Sequence, residues 1–229
     1  MRTWRWYGKG LPYVKETEWP GHLVVIEGAD GAGRSTQVSR LRTYLERRGY
    51  AVDETGLKRS SLLAKTIARA KPGNLLGRTT LNLLYATDLA DQMENQIIPA
   101  LRAGLVVLAD RYVYTLMARA LVRGAEQTWL EGLFGFALVP DVVLYLKTEP
   151  GERLRRHLAK NRTLDYWESG ADLGLAADRF TSFLRYQELL QEWYDRLAQR
   201  YGFVSIDGSG SMEAVQERVR SNVQALLEE

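Results

Sequence analysis

Four short and almost wholly apolar runs punctuate the chain: His22–Glu27, Leu105–Asp110, Val142–Leu146 and Phe203–Asp207. Runs of this length without polar alternation are expected of strands buried on both faces. Between them, apolar residues recur at helical spacing, as Val38, Leu41 and Leu45 in one stretch and Met212, Val215, Val219, Val223 and Leu226 in another. A longer helix is expected from about Leu75 to Arg102, with Leu81, Leu84, Tyr85 and Ile97 facing inward and Gly104 as its stop. Ala51–Thr55 is a weaker strand candidate. This alternation predicts a parallel α/β sheet covered on both faces, which takes ligands at the carboxyl ends of its strands. Residues 1–20 hold Trp4, Trp6, Tyr7, Tyr13 and Trp19 with no sustained period and read as an irregular arm packed onto a domain spanning 21–229.

Composition narrows the classes. With 229 residues, 45% hydrophobic and 26% charged, the chain suits one compact domain with a small appendage rather than a disordered or fibrous protein. It has no cysteine, which excludes disulfides, thiolate metal sites and cysteine nucleophiles and fits a reducing cytoplasm. The nearly uncharged stretch 132–146 is too short to span a bilayer, and the amino terminus lacks the apolar core of a secretory signal, so no membrane partner is expected. A net charge of +3, from 31 basic and 28 acidic side chains, does not call for a nucleic-acid polymer.

The chemistry concentrates in Gly28-Ala29-Asp30-Gly31-Ala32-Gly33-Arg34-Ser35-Thr36, which has the G-x-x-x-x-G-K-[ST] spacing with arginine in place of lysine. It follows an apolar run and opens an amphipathic stretch, the strand-to-helix context of a phosphate-binding loop. Its glycines let backbone N–H groups curl around the phosphates of ATP, and Ser35 is placed to reach Mg²⁺. Arg34 keeps the positive charge but replaces a compact ammonium with a longer planar fork. Asp110 and Arg111 end an apolar strand, where the acid would hold Mg²⁺ and the base would meet a phosphate. Residues 159–172 are polar, contain Arg162 and Gly170, and read as a lid able to exclude water. Lys58-Arg59 is a basic pair placed to grip an acceptor phosphate. The tryptophans are read as core and arm packing, and His22 and His157 as structural or surface residues. Together these features predict a P-loop NTPase-like, three-layer α/β/α fold with a central, mostly parallel five-stranded sheet.

Over residues 22–228 the chain resembles the thymidylate kinase family of P-loop nucleoside monophosphate kinases. Residues 26–37 look like its phosphate loop, 83–88 like its acceptor helix, and 106–112 like its Asp-Arg-Tyr strand. Residues 140–146, with Leu164-Asp165, sit where the family has its next strand and lid. The resemblance implies Mg-ATP-dependent phosphorylation of a nucleoside monophosphate, dTMP to dTDP by family default, in a homodimer packed through long helices. It puts Asp30 between donor and acceptor phosphates, Ser35 and Asp110 near Mg²⁺, Arg111 on the acceptor phosphate and Tyr85 against the base. Asp88 lies on the acceptor helix and Arg162 in the lid.

Departures from the family pattern cluster at the acceptor. Residues 54–60 replace the usual Arg-Glu-Pro-Gly-Gly stretch, and Leu89 stands in place of a base-reading arginine. Arg119-Ala120 replaces a Tyr-Gln pair, and Tyr166 replaces an arginine; Arg119, with Arg59, is a candidate to bind an acceptor with more phosphate or a different sugar. Two further readings therefore stay open on the sequence: a kinase of another phosphorylated metabolite, and a nucleotide-binding protein with little kinase activity.

Overall fold

The computed structural model describes residues 2–15, 17–70, 76–161, 164 and 166–228. In chain order the strands are β1 (Arg2–Thr3), β2 (Glu18–Trp19), β3 (His22–Glu27), β4 (Val52–Gly56), β5 (Val106–Asp110), β6 (Val142–Lys147) and β7 (Val204–Asp207). The helices are α1 (Arg34–Arg47), α2 (Ala64–Ala70), α3 (Arg78–Gln92), α4 (Ile98–Arg102), α5 (Val113–Val122), α6 (Gln127–Leu133), α7 (Pro150–Asn161), α8 (Arg179–Tyr201) and α9 (Met212–Leu227).

Strands β3 to β7 form one sheet in the order β4-β5-β3-β6-β7, with every pairing parallel. All five predicted strands are present, with ends shifted by a residue or so. Leu23 and Val25 of β3 join the core on the side of α3, α5 and α8, while Val24 and Ile26 join the core against α1 and α9. Two apolar layers on one strand leave no solvated face, which is why the runs show no polar alternation. The strand order reverses at β3, so the crevice at its carboxyl end, beside β5, is where this topology offers a site.

The helix expected over 75–102 begins at Arg78, and Leu75 lies outside the described residues. It reaches Arg102 through a wide π turn at Met93–Ile97. Pro99 has no N–H for the carbonyl four residues back, and the turn just before it absorbs that mismatch.

The arm is less irregular than its sequence suggests. β1 pairs antiparallel with β2, and Trp6 bridges to Leu138. Trp4 and Trp19 are buried with ring centres 6.2 Å apart, and the Tyr7 hydroxyl bonds that of Tyr114 on α5. Among the described residues no helix is long and apolar enough to cross a membrane.

Candidate active site

Beyond β3, the loop 28–33 turns into α1 with Gly33 in the left-handed region at φ 95°. Gly31 has φ 83°, and a Cβ there would lie 2.5 Å from the Arg153 carbonyl, so the loop can rest on α7 only without a side chain. The parallel register sets Ile26 beside Asp110, which brings the loop and the end of β5 to one edge. There Ser35 Oγ donates to Asp110 Oδ2 at 2.6 Å. Two hard oxygen donors on adjacent elements, facing a helix amino terminus, suit Mg²⁺ shared with a phosphate. Among the described residues no group of three or more His, Cys, Asp or Glu side chains is placed to hold a metal ion, so phosphate and water would complete its shell.

Asp30 stands at the centre of a cluster of arginines. Arg111 Nη2 donates to Asp30 Oδ1, Arg119 Nη2 donates to Oδ2 at 2.9 Å, and Arg34 Nη2 lies 3.8 Å from Oδ1. Burial would push the Asp30 carboxyl up, but the charges of Arg111, Arg119 and Arg34 outweigh it and hold the group well below the usual carboxylate range. Arg111, the residue after β5, has φ 74°, a left-handed conformation costing about 1–3 kcal/mol for a residue with a side chain. Its N–H still bonds Ile26 O at 3.1 Å, so the strand end fixes the turn that aims its guanidinium at the loop. Arg111 Nε is buried without a partner among the described residues, a donor suited to an anion.

Arg34 faces into the loop rather than across its mouth. Nη1 donates to the carbonyls of Gly28 and Ala29, and Nε donates to Asp110 Oδ1 at 3.2 Å. Burial would push the Asp110 carboxyl up, but the charge of Arg34, with the Ser35 bond and the charge of Arg111, outweighs it and holds the group below its ordinary value. The fork thus ties the start of the loop to Asp110 at the end of β5, a geometry closed to a lysine ammonium.

Against this cluster opens a cavity of about 460 Å³ between α3, α5 and the segment after α7. Tyr85, Leu116, Arg119, Trp129, Trp167 and Tyr186 are among its walls. Two tryptophans read from sequence as packing residues therefore face a site-sized cavity, because α6 and residues 166–170 converge on α5. Arg119, whose direction the sequence left undefined, reaches from this wall to Asp30. Arg59 and Asp88 do not line the cavity. Arg59 is 41% exposed on the loop after β4, 3.7 Å from Glu54. Asp88 accepts the backbone N–H groups of Lys58 and Ser60 at 2.9 and 3.2 Å and holds that loop against α3. Leu89 is buried in the core. Arg162 and Asp165 of the expected lid lie outside the described residues, while Tyr166 is half exposed beside Trp167.

Two supporting residues escaped the sequence reading. Glu27 is fully buried and accepts from Tyr112 N at 2.8 Å, Thr115 N at 3.2 Å and Thr115 Oγ1 at 2.6 Å, which ties β3 to the amino end of α5. An acid closing an otherwise apolar run was the visible signal. Arg123, one turn beyond Arg119, donates to both oxygens of Asp172 at 2.8 and 2.9 Å and to Trp167 O at 3.0 Å. It pins the cavity's far wall to α5, and only its spacing of four from Arg119 hinted at that.

The family model described as thymidylate kinase matches residues 26–219. "Probable thymidylate kinase 2" of Saccharolobus solfataricus is 35% identical over 201 residues, covering 87% of this chain and 94% of that protein. "Probable thymidylate kinase" of Thermococcus kodakarensis is 32% identical over 215 residues, covering 90% and 97%. "Thymidylate kinase" of Gloeobacter violaceus is 31% identical over 220 residues, covering 90% and 96%. With a family match over residues 26–219 and relatives matched over most of their length, the chain belongs to the thymidylate kinase family.

Proposed function

We propose that this protein transfers the γ-phosphoryl group of Mg-ATP to the phosphate of a nucleoside monophosphate, thymidylate being the acceptor for which its relatives are named. The observation that carries the reading is the contact of Asp30, on the phosphate loop, with Arg119, on the wall of the cavity. It joins a donor-side element to an acceptor-side one at bonding distance. Phosphoryl transfer needs mainly positioning and charge neutralisation, and a loop of N–H donors flanked by arginines supplies both. ATP would take the loop from Gly28 to Thr36, with Mg²⁺ at Ser35 and Asp110; the metal, when bound, neutralises charge on the phosphate oxygens. The acceptor would lie in the cavity with its base against Tyr85 and its phosphate toward Arg111.

Calorimetry should show MgATP binding that Gly33→Asp abolishes, since a carboxylate at a left-handed loop position adds both strain and repulsion. Folded wild-type protein taking no nucleotide would refute the reading. Coupled ADP release over a panel of nucleoside monophosphates then tests turnover. The inward bonds of Arg34 favour one competing reading, a nucleotide binder with little activity, for which MgATP would bind and no acceptor would release ADP.

We further propose a cytoplasmic homodimer. Leu83 on α3 is 47% exposed, an apolar position available to a second copy. Sedimentation at micromolar concentration showing only monomer would remove the dimer.

A further inference from the structure

We propose that Arg119 is a catalytic residue of this kinase, the arginine that neutralises the phosphoryl group in transfer. The inference rests on the phosphotransfer reading above and adds a residue that the likeness to the family does not supply, since an aromatic residue is usual at this position.

Position is the first ground. Arg119 lies on α5, its guanidinium bounds the acceptor cavity, and its Nη2 is 2.9 Å from Asp30 Oδ2 on the phosphate loop. A phosphoryl group passing from a donor on that loop to an acceptor in that cavity must cross the space this side chain borders. The second ground is the company it keeps. Arg111 holds the other oxygen of the same carboxylate, and Arg34 stands 3.8 Å from it, so three guanidinium groups converge on one carboxylate with Asp110 as the other neighbouring acid. Arg111 Nε is moreover buried and without a partner among the described residues. A planar phosphoryl group in flight carries charge on three equatorial oxygens and suits two forks better than a single carboxylate does. Third, the backbone that carries Arg119 is held in place. Its carbonyl accepts from Arg123 Nη1 at 3.1 Å, and Arg123 is locked to Asp172, while Glu27 anchors the amino end of α5.

The step itself is balanced without another reagent. An oxygen of the acceptor's phosphate forms a bond to the γ-phosphorus of ATP as the bond from that phosphorus to the β–γ bridging oxygen breaks. The electron pair leaves on ADP. Arg119 forms no bond to phosphorus and donates hydrogen bonds to the equatorial oxygens, while Asp30 yields Arg119 to them.

Steady-state kinetics on the full chain, with the best acceptor of the panel, tests this. Arg119→Ala should lower kcat about 10³-fold, the scale of an arginine supplied to a phosphoryl transition state, and leave the acceptor KM within about tenfold. Arg119→Lys should fall between, and added guanidinium should restore part of the kcat of the alanine variant alone. Independently of turnover, the complex of ADP, aluminium fluoride and acceptor should weaken in parallel with kcat, while ADP alone binds within about threefold of wild type. If the alanine variant does not fold, Arg119→Lys and Arg119→Gln carry the same comparison. Unchanged kcat, a loss confined to acceptor KM, or unweakened binding of the fluoride complex would overturn the assignment with the kinase reading intact. Wild-type protein that turns over no acceptor would instead remove that reading, and this inference with it.

Discussion

Arg34 occupies the position where the phosphate loop ordinarily carries lysine, and its three donor contacts run to the loop itself and to Asp110. Removing it would leave two inward carbonyls and a nearly buried carboxylate without their cation, a change that typically costs about 3 kcal/mol or more. Arg34→Ala should therefore lose stability in denaturant unfolding and lose phosphoryl transfer strongly. Arg34→Lys should recover little of either, because one ammonium cannot serve the carbonyls and the carboxylate in the fork's geometry. A wild-type unfolding midpoint with wild-type turnover in Arg34→Ala would contradict both the bracing role and its importance to the site. Much of this was legible at residue level. The spacing of Gly28, Gly33 and Ser35 is a local pattern whose geometry follows from the backbone, and Asp110 sits at the end of an apolar strand. The inward aim of Arg34 was not legible, since it depends on Asp110, 76 positions away and brought near by parallel pairing.

Helix α5 is the element on which the site depends, because Arg111 precedes it and Arg119 and Arg123 share one of its faces. No side chain of its own caps its amino end. Glu27, from the neighbouring strand, supplies the acceptor for two of its N–H groups and for Thr115 Oγ1. Burial raises the Glu27 carboxyl, and the bonds from Thr115 and Tyr112 oppose that shift. Glu27→Ala would orphan these donors in the core, at about 1–3 kcal/mol for each buried group left unsatisfied. It should lower stability by roughly 3 kcal/mol and reduce kcat by freeing the tilt of α5, with MgATP affinity much less affected. Thermal unfolding beside calorimetry checks this, and a variant as stable as wild type would show that α5 is held elsewhere. Strands and amphipathic helices were readable because burial on both faces, or on one stripe, writes itself into consecutive residues. The π turn and the pairing of Arg123 with Asp172, 49 positions apart, were not, being settled only when distant segments meet.

At the scale of the whole molecule, the fold holds the loop edge and its arginines firmly, and on the proposed reading leaves the acceptor's base loosely specified. Strong discrimination comes from buried polar groups that a wrong ligand leaves unpaired. The cavity offers few of these. Arg119 is engaged by Asp30 and Arg123 by Asp172, while Leu81, Leu116 and Ala120 are apolar walls and Tyr85, Trp129 and Trp167 present aromatic rings. Leu89, where the family's base-reading arginine would stand, is buried in the core. Asn82 and Thr79 add one amide and one hydroxyl, and of the remaining charged walls Arg78 and Glu126 are exposed and Glu168 half-buried, together enough for a moderate preference. Stacking on an aromatic ring tolerates any base. Thymidylate should therefore be accepted without dominating: its kcat/KM should exceed that of the next best nucleoside monophosphate by less than about 100-fold, a ratio that a pocket built on hydrogen bonds readily passes. Measured kcat/KM values across the monophosphate panel decide the matter. A thymidylate preference above that ratio would mean that Asn82, Thr79 or the arginines read the base directly, and the cavity would have to be redrawn as a polar, thymine-specific pocket.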